Sequence, residues 1–273
     1  MVIWQGDLVK LPGASEQTKQ WLLLICDRQK NIVYQAQSPQ ADVNGTWLTE
    51  QLKKATQTVT PDKLQIFRPQ ITGLFSIATE ALEISLETTR RTPQLKAIMS
   101  SYFQNGVPAA QSKLGLEKPV PQNLPEAIWG ENWNFVSIDA GEIIDFSEDR
   151  PLPFRDVPLS LVNQNSELEP QVKVPGIVIY GGRKSLILAQ WLVKQRPVAL
   201  NYIATEIGKS GGLVLETGLV DRWIIATFES ESVAQAAKAY EQNKKFSQGL
   251  HFLLLQPDDS GMTHTGFWLL KDE

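Results

Sequence analysis

The feature that most constrains the fold is the alternation of short apolar runs with amphipathic stretches over the last hundred residues. RKSLILAQWLVKQ and ESVAQAAKAYEQNKKFSQG have apolar residues at helical spacing and end near Pro197 and Gly249, so they predict helices. The runs between and around them have the length and composition of β-strands: GIVIYGG, PVALNYIATE, GGLVLETGL, RWIIATF, LHFLLLQPDD and TGFWLLKDE. This order predicts a mixed α/β domain over residues 174–273.

The first part of the chain predicts a second mixed domain. WLLLICD and NIVYQAQSP, separated by the polar RQK, predict a β-hairpin. A helix capped by Asn44 or Thr46 follows, and then a short strand KLQIF that stops at Pro69. ITGLFSIATEALEISLETTRR predicts one long amphipathic helix over residues 71–91, and TPQLKAIMSSYFQN predicts another with Pro93 in its first turn.

Charge is distributed unevenly along the chain. Residues 1–118 have 13 Lys and Arg against 10 Asp and Glu, and residues 119–173 have 3 against 10. The acidic segment is also rich in proline, which is typical of a connection rather than of a helix or strand. We therefore predict an N-terminal α/β domain at 1–118, an acidic Pro-rich connecting segment at 119–173 and a C-terminal α/β domain at 174–273.

Composition removes several classes of function. The single cysteine, Cys26, excludes an intramolecular disulfide and a cysteine-rich zinc cluster, and two histidines, His251 and His264, are too few for a His-rich metal site. A Ser-His-Asp or Cys-His site would have to use one of these two histidines, and catalysis by carboxylates or lysines stays open. No apolar run is long enough to span a membrane, and the start MVIWQGDLVK has no signal-peptide pattern, so we expect a cytoplasmic protein.

Asp27 is the one candidate for metal chemistry. An acid at the end of a strand, followed by a second strand, a helix and another strand, is how ribonuclease-H-like nucleases begin, and their chemistry needs several acids around two metal ions. Glu50 could project from the following helix, but after LQIF the chain continues with Arg68-Pro69-Gln70 instead of another acid. A ribonuclease-H-like first domain without a complete metal site is one interpretation, a metal-dependent nuclease is another, and a hairpin-turn role for Asp27 is the third.

Several basic and aromatic residues could contact a nucleic acid. Gly181-Gly182 leads from a strand into a helix beside Arg183 and Lys184, which favours either an anion contact or a plain glycine turn. The spacing is not that of a P-loop. An aromatic side chain beside a basic pair can stack on unpaired bases, although such pairs are also typical of solvated helix ends. The candidates for RNA contact are Arg68, Gln70, Arg90, Arg91, Arg183, Lys184 and Trp191.

Two tryptophans and one histidine allow other interpretations. Trp129 and Trp133 lie in NLPEAIWGENWNFV, among acids, and could cover a domain junction. His251 opens the apolar strand LHFLLLQ, where a buried structural histidine is the simplest interpretation and a general base is the alternative.

Seven stretches together resemble one family, and their order covers nearly the whole chain. They are LLLICD, IFRPQ, NLPEAIWGENWNFV, VPGIVI, RKSLILAQWL, GLHFLLLQ and the terminal GFWLL. This pattern is similar to the Tab family of translation activators of photosystem subunits, which occurs in cyanobacteria, algae and plants. The residues that carry the resemblance include Asp27, Trp129, Trp133, His251, Phe267 and Trp268.

The resemblance implies a cyanobacterial RNA-binding factor that supports translation or assembly of photosystem subunits. It implies no enzyme, so we expect no catalytic residue, no metal and no cofactor. Its expected partner is single-stranded RNA, such as a messenger leader, together with proteins of translation or photosystem assembly. The alternative is a protein-interaction scaffold for photosystem biogenesis, in which the acidic segment contacts the partner.

Overall fold

The computed structural model describes residues 1–11, 20–104 and 119–272. The chain divides into two compact units, Met1–Glu117 and Lys118–Glu273. The described residues form three β-sheets and seven α-helices, which confirms the predicted mixed α/β fold class. None of the described helices is long and apolar enough to cross a membrane.

The first unit is built on one five-stranded sheet. Its strands are β1 (Ile3–Lys10), β2 (Gln20–Cys26), β3 (Ile32–Pro39), β4 (Lys63–Ile66) and β5 (Ser85–Thr88), and its helices are α1 (Gly45–Ala55), α2 (Thr72–Glu80) and α3 (Pro93–Gln104). The strand order is β3-β2-β1-β4-β5. β1, β2 and β3 are antiparallel neighbours, whereas β1, β4 and β5 run parallel.

Helices cover both faces of this sheet. Along β2, Leu23 and Ile25 face a cluster that includes α1 and α2, and Leu22 and Leu24 face a cluster that includes α3. Successive side chains of a strand point to opposite faces, so an uninterrupted apolar strand such as WLLLIC indicates burial on both sides.

The structure confirms the predicted hairpin of β2 and β3, and Asn44 caps α1 by accepting a hydrogen bond from Trp47 N at 2.9 Å. The prediction of one helix over 71–91 is wrong. α2 ends at Glu80, and Glu83 adopts a left-handed conformation with φ of 57°. The chain then enters β5, which pairs with β4 and packs Leu86 against the core cluster of this unit.

The second unit contains two sheets. Its strands are β6 (Gln122–Asn123), β7 (Asn132–Asp139), β8 (Phe154–Asp156), β9 (Lys173–Tyr180), β10 (Pro197–Glu206), β11 (Ser210–Thr217), β12 (Asp221–Glu229), β13 (Leu250–Gln256) and β14 (Gly266–Lys271). Its helices are α4 (Ile143–Glu148), α5 (Leu159–Ser166), α6 (Ser185–Gln195) and α7 (Glu231–Phe246). The strand orders are β7-β9-β13-β14-β8 and β10-β11-β12-β6.

The five-stranded sheet of this unit is buried on both faces. One face packs against the four-stranded sheet and α6, and the other against α4 and α5. In β14, Trp268 and Leu270 lie in the first of these clusters, whereas Phe267 and Leu269 lie in the second. The apolar chain end GFWLL is therefore a fully buried strand.

Residues 119–173, predicted as a connecting segment, contribute regular structure to this unit. They form β6, β7 and β8 as well as α4 and α5. β7 pairs with β9 along eight residues, and β8 pairs with β14. The sequence predicts an irregular connection here because the helices and strands of this segment are short and separated by prolines.

Candidate nucleic-acid interface

In the first unit, the parallel strands β1, β4 and β5 end at the same edge of the sheet, and four cationic residues lie there. Arg68 follows β4, Arg90 and Arg91 follow β5, and Lys96 lies in the first turn of α3. Ligands of open α/β sheets bind outside the carboxyl ends of the strands. We call Arg68, Arg90, Arg91 and Lys96 the basic edge.

Arg68 is anchored by a buried acid. Its Nε donates to Asp7 Oδ2 at 2.7 Å, and Asp7 Oδ1 accepts from Leu8 N at 2.8 Å. Asp7 is fully buried in β1, and 19% of the Arg68 side chain is exposed. Burial raises the pKa of Asp7, and the adjacent positive charge opposes that shift. No described residue accepts a hydrogen bond from the Nη groups of Arg68, so these donors are available to a ligand.

Phe67 connects the cations of the basic edge. The Arg68 guanidinium carbon lies 4.9 Å from the centroid of the Phe67 ring, and Lys96 Nζ lies 5.2 Å from the same centroid. Both distances suit a cation–π contact. Phe67 is fully buried, so the ring fixes the two positive charges near one another.

The chain between β5 and α3 is attached to β1 through Gln5. Gln5 Oε1 accepts from Leu95 N at 3.1 Å, and Gln5 Nε2 lies 3.5 Å from Arg91 O. Lys96 Nζ donates to Arg90 O at 2.9 Å. Arg90 is buried and Arg91 half-buried, so Arg91 is the more accessible of the pair.

Gln70 is exposed in the short turn Pro69–Ile71, next to Arg68. The structure thus brings Arg68, Gln70, Arg90 and Arg91 to one end of the first sheet.

Asp27 occupies a turn. Its Oδ1 accepts from Gln29 N at 2.8 Å and from Asn31 N at 2.9 Å, and Oδ2 accepts from Asn31 Nδ2 at 2.9 Å. Slight desolvation is outweighed by these hydrogen bonds, which lower the pKa of Asp27. The carboxylate therefore stabilises the β2–β3 turn. Among the described residues, no group of three or more His, Cys, Asp or Glu could hold a metal ion.

The remaining RNA candidates lie before and within α6 of the second unit. Arg183 and Lys184 are exposed in the turn before α6. Lys184 Nζ donates to Glu126 O at 3.3 Å. Trp191 is half-buried on α6 and packs edge-to-face on Trp223, with ring centroids 5.2 Å apart.

Trp129 lies just before Gly130 and β7, and Trp133 lies within β7. Trp133 is half-buried and packs edge-to-face on Phe135 at 5.3 Å. Trp129 is 45% exposed, although its Nε1 donates to Leu124 O at 2.8 Å. Both tryptophans and Trp191 line a cavity of about 30 Å³.

His251 is a buried structural residue. Its Nε2 accepts from Leu200 N at 2.8 Å, and Nδ1 donates to Gly249 O at 2.8 Å. Burial, together with the positive charge of Lys244, lowers the pKa of His251 to about 3. The imidazole is therefore neutral and has both nitrogens occupied, which argues against a general base.

Sequence reasoning missed Asp7 and Lys96. Asp7 is the lone acid in the apolar run IWQGDLV, and an unpaired acid in a buried strand is itself a signal of an ion-pair partner. That partner could not be identified without knowing that β1 and β4 are neighbours.

Two family models match the chain. The model described as "RNA-binding protein Tab2/Atab2 N terminal" matches residues 3–102, and the one described as "RNA-binding protein Tab2/Atab2, C-terminal domain" matches residues 111–271.

Relatives and solved structures extend this comparison. "Protein TAB2 homolog, chloroplastic" of Arabidopsis thaliana is 29% identical over 98% of this chain and 74% of its own length, and its Zea mays counterpart is 26% identical over 98% and 71%. The integrase catalytic core domain of HTLV-2 in complex with magnesium is 16% identical over 38% of this chain and 72% of that chain. Its TM-score of 0.25 is too low to support an argument about fold or activity.

Proposed function

Because the chain belongs to the Tab2/Atab2 family of RNA-binding proteins, we propose that it binds single-stranded RNA through the basic edge of its first unit. The observation that carries this proposal is the anchored guanidinium of Arg68. One of its N–H groups is held by the buried carboxylate of Asp7 at 2.7 Å, and the side chain stays partly exposed. An arginine fixed in this way binds a phosphate with little loss of side-chain freedom.

The charge of the chain favours a single strand over a duplex. The net charge is −4, and the positive residues at the candidate surface are few. Duplex binding depends on many phosphate contacts along a regular backbone, whereas a single strand can be held by a few cations and by base contacts. Gln70, exposed beside Arg68, supplies amide donors and an acceptor for a base edge.

The decisive experiment replaces the ion pair without changing the net charge. Arg68→Gln alone leaves Asp7 buried without its partner, which destabilises a protein by several kcal/mol. The double variant Asp7→Asn/Arg68→Gln removes both charges together. We expect it to fold and to bind labelled single-stranded RNA about tenfold more weakly in fluorescence anisotropy, which corresponds to one lost charge-assisted contact.

Lys53→Gln is the matched control, because Lys53 is an exposed cation of the same unit on α1. It should reduce RNA affinity less than twofold. Equal affinities of the double variant and the wild type would refute the role of Arg68, and an absence of RNA binding by the wild type at micromolar concentration would refute the proposed function.

The proposed biological role is to support translation or assembly of photosystem subunits. It derives from the family resemblance. The expected cytoplasmic compartment stays a prediction, and the two plant relatives are chloroplast proteins by name. RNA recovered with the protein by crosslinking in cells, followed by sequencing, tests this role. Enrichment of photosystem messengers would support it, and an unbiased RNA population would contradict it.

Hydrolysis of the RNA does not form part of this proposal. A ribonuclease-H-like scaffold stays a prediction for the first unit, whose strand order is β3-β2-β1-β4-β5. At the end of its parallel strands, however, Asp7 is paired with an arginine. A positive charge at that place repels the divalent cations that such chemistry requires.

A scaffold role is the second candidate, and the acidic surface of α4 favours it. Glu142, Asp145, Glu148 and Asp149 are all exposed in and around this short helix. A protein partner with a basic surface would be recognised there. Loss of partner capture in Glu148→Gln/Asp149→Asn, with unchanged RNA affinity, would assign this surface to a protein.

A further inference from the structure

Trp129 is distinctive among the tryptophans of this chain. All eight lie within the described residues, and the other seven are buried or half-buried, whereas Trp129 is 45% exposed. Its ring is nevertheless held in place, because Nε1 donates to Leu124 O at 2.8 Å. A large aromatic ring that is both exposed and fixed is typical of a stacking surface.

The wall beneath Trp129 is aromatic and apolar. The cavity there is about 30 Å³ and is lined by Trp133, Trp191 and Leu188 among others. A volume of this size holds a water molecule and excludes a nucleobase. A ligand that uses this site must therefore lie over the exposed face of Trp129 rather than enter the core.

Charged residues of both signs surround this surface. Lys184 is exposed, and its Nζ reaches the turn that precedes Trp129 through Glu126 O at 3.3 Å. Arg183 is exposed beside it. Two acids oppose these cations. The carboxylate of Glu131 packs directly against Gly182, and Glu126 is exposed in the turn before Trp129. The cations favour an anionic ligand, and Glu131 limits how tightly it is held.

We propose that Trp129 stacks on one unpaired base of RNA and that Lys184 contacts an adjacent phosphate. This inference rests on the proposed function and adds a second contact site, in the second unit. With this second site, the protein contacts an RNA base as well as the phosphate backbone. A π-face is common to all bases, so the site selects single-stranded RNA without selecting a particular base.

Photocrosslinking of the unmodified full-length protein tests the site without any substitution. Single-stranded RNA containing 5-bromouridine is irradiated with the protein, and the crosslinked peptides are identified by mass spectrometry. We expect the peptide that contains Trp129 among the crosslinked products. Crosslinks confined to other peptides would contradict the inference.

Substitutions give the quantitative test, with anisotropy against single-stranded RNA as the readout. Trp129→Ala should lower the affinity about tenfold, which is the usual effect of removing one stacked ring. Trp129→Phe should lower it about threefold or less. Glu131→Gln should raise it severalfold, because the substitution removes a negative charge beside the site. Circular dichroism and urea unfolding show whether each variant is folded.

Phe246→Ala is the matched control, because Phe246 is an exposed aromatic residue of the same unit, at the end of α7. It should bind RNA as the wild type does. If Trp129→Ala also binds like the wild type, while Asp7→Asn/Arg68→Gln is weakened, this inference fails and the proposed function stands. If the wild type binds no RNA, both fail. If Trp129→Ala loses only a protein partner, the ring belongs to a protein interface and the inference is overturned.

Discussion

At the scale of single residues, the two units hold their buried charges in different ways. In the first unit, Asp7 has one cationic partner, and that partner is partly exposed. In the second, Lys244 is only 2% exposed, and its Nζ donates to Leu200 O, Asn201 Oδ1 and Asp272 Oδ2 at 2.9–3.0 Å. A buried charge with several partners fixes its surroundings, whereas one with spare donors at the surface can bind a ligand.

His251 gives the second unit a specific sensitivity to acid. Its ring packs edge-to-face on Tyr240. Burial and the positive charge of Lys244, which pairs with Asp272, lower its pKa to about 3. In the unfolded chain a histidine titrates near 6.5. Between these two values the unfolded state binds a proton that the folded state does not, so stability falls as the pH falls.

We therefore expect urea unfolding to show a loss of roughly 2 to 3 kcal/mol from this group between pH 6.5 and 4.5. His251→Gln should be destabilised at neutral pH but should lose less stability on acidification than the wild type. His264→Gln, which replaces the only other histidine, serves as the control and should change the pH dependence less. Parallel pH profiles for the wild type and His251→Gln would contradict the assigned role of the imidazole.

At the scale of elements, the sequence predicted strands and helices well where local signals agree. RKSLILAQWLVKQ and LHFLLLQ have the expected period or length and form α6 and β13. The helix predicted over ISLETT is wrong. The apolar spacing of this segment fits a helix, but in the structure the segment pairs with β4 and forms β5. The basic edge was partly predictable. Arg68, Arg90 and Arg91 were identified as candidates, but their proximity depends on the parallel pairing of β1, β4 and β5, which sequence does not reveal.

The cap of α1 is a local feature whose contribution can be measured. Asn44 Oδ1 accepts from Trp47 N at 2.9 Å and satisfies one of the amides that a helix N-terminus leaves without a partner. Asn44→Ala should lower the free energy of unfolding of the first unit by about 1 kcal/mol, measured as a lower urea midpoint at constant slope. Gln57→Ala, an exposed substitution just after the same helix, should leave the midpoint unchanged. A similar midpoint for both variants would show that the cap contributes nothing measurable.

At the scale of the whole molecule, an acidic protein is proposed to bind a polyanion. The contradiction is resolved by where the charges lie, since residues 1–118 carry an excess of cations and residues 119–173 carry most of the acid excess. Local charge determines which surface meets RNA, and the overall negative charge keeps nonspecific association weak.

This distribution predicts the salt dependence of binding. The accessible cations are Arg68, Arg91 and Lys96 of the basic edge and the exposed pair Arg183 and Lys184. They offer about three to five phosphate contacts, and each contact to single-stranded nucleic acid contributes about −0.7 to the slope of log K against log salt concentration. We therefore expect a slope of roughly −2 to −3.5 for the wild type, measured by anisotropy between 50 and 300 mM KCl. Asp7→Asn/Arg68→Gln should reduce its magnitude by about 0.7, although the net charge of the chain is unchanged.

Trp129→Ala should weaken binding at every salt concentration and leave the slope as it is, because stacking releases no counterions. A slope near zero in the wild type would mean that the protein does not contact phosphates. If both substitutions changed the slope equally, Arg68 would not be the phosphate contact and Trp129 the base contact, as proposed.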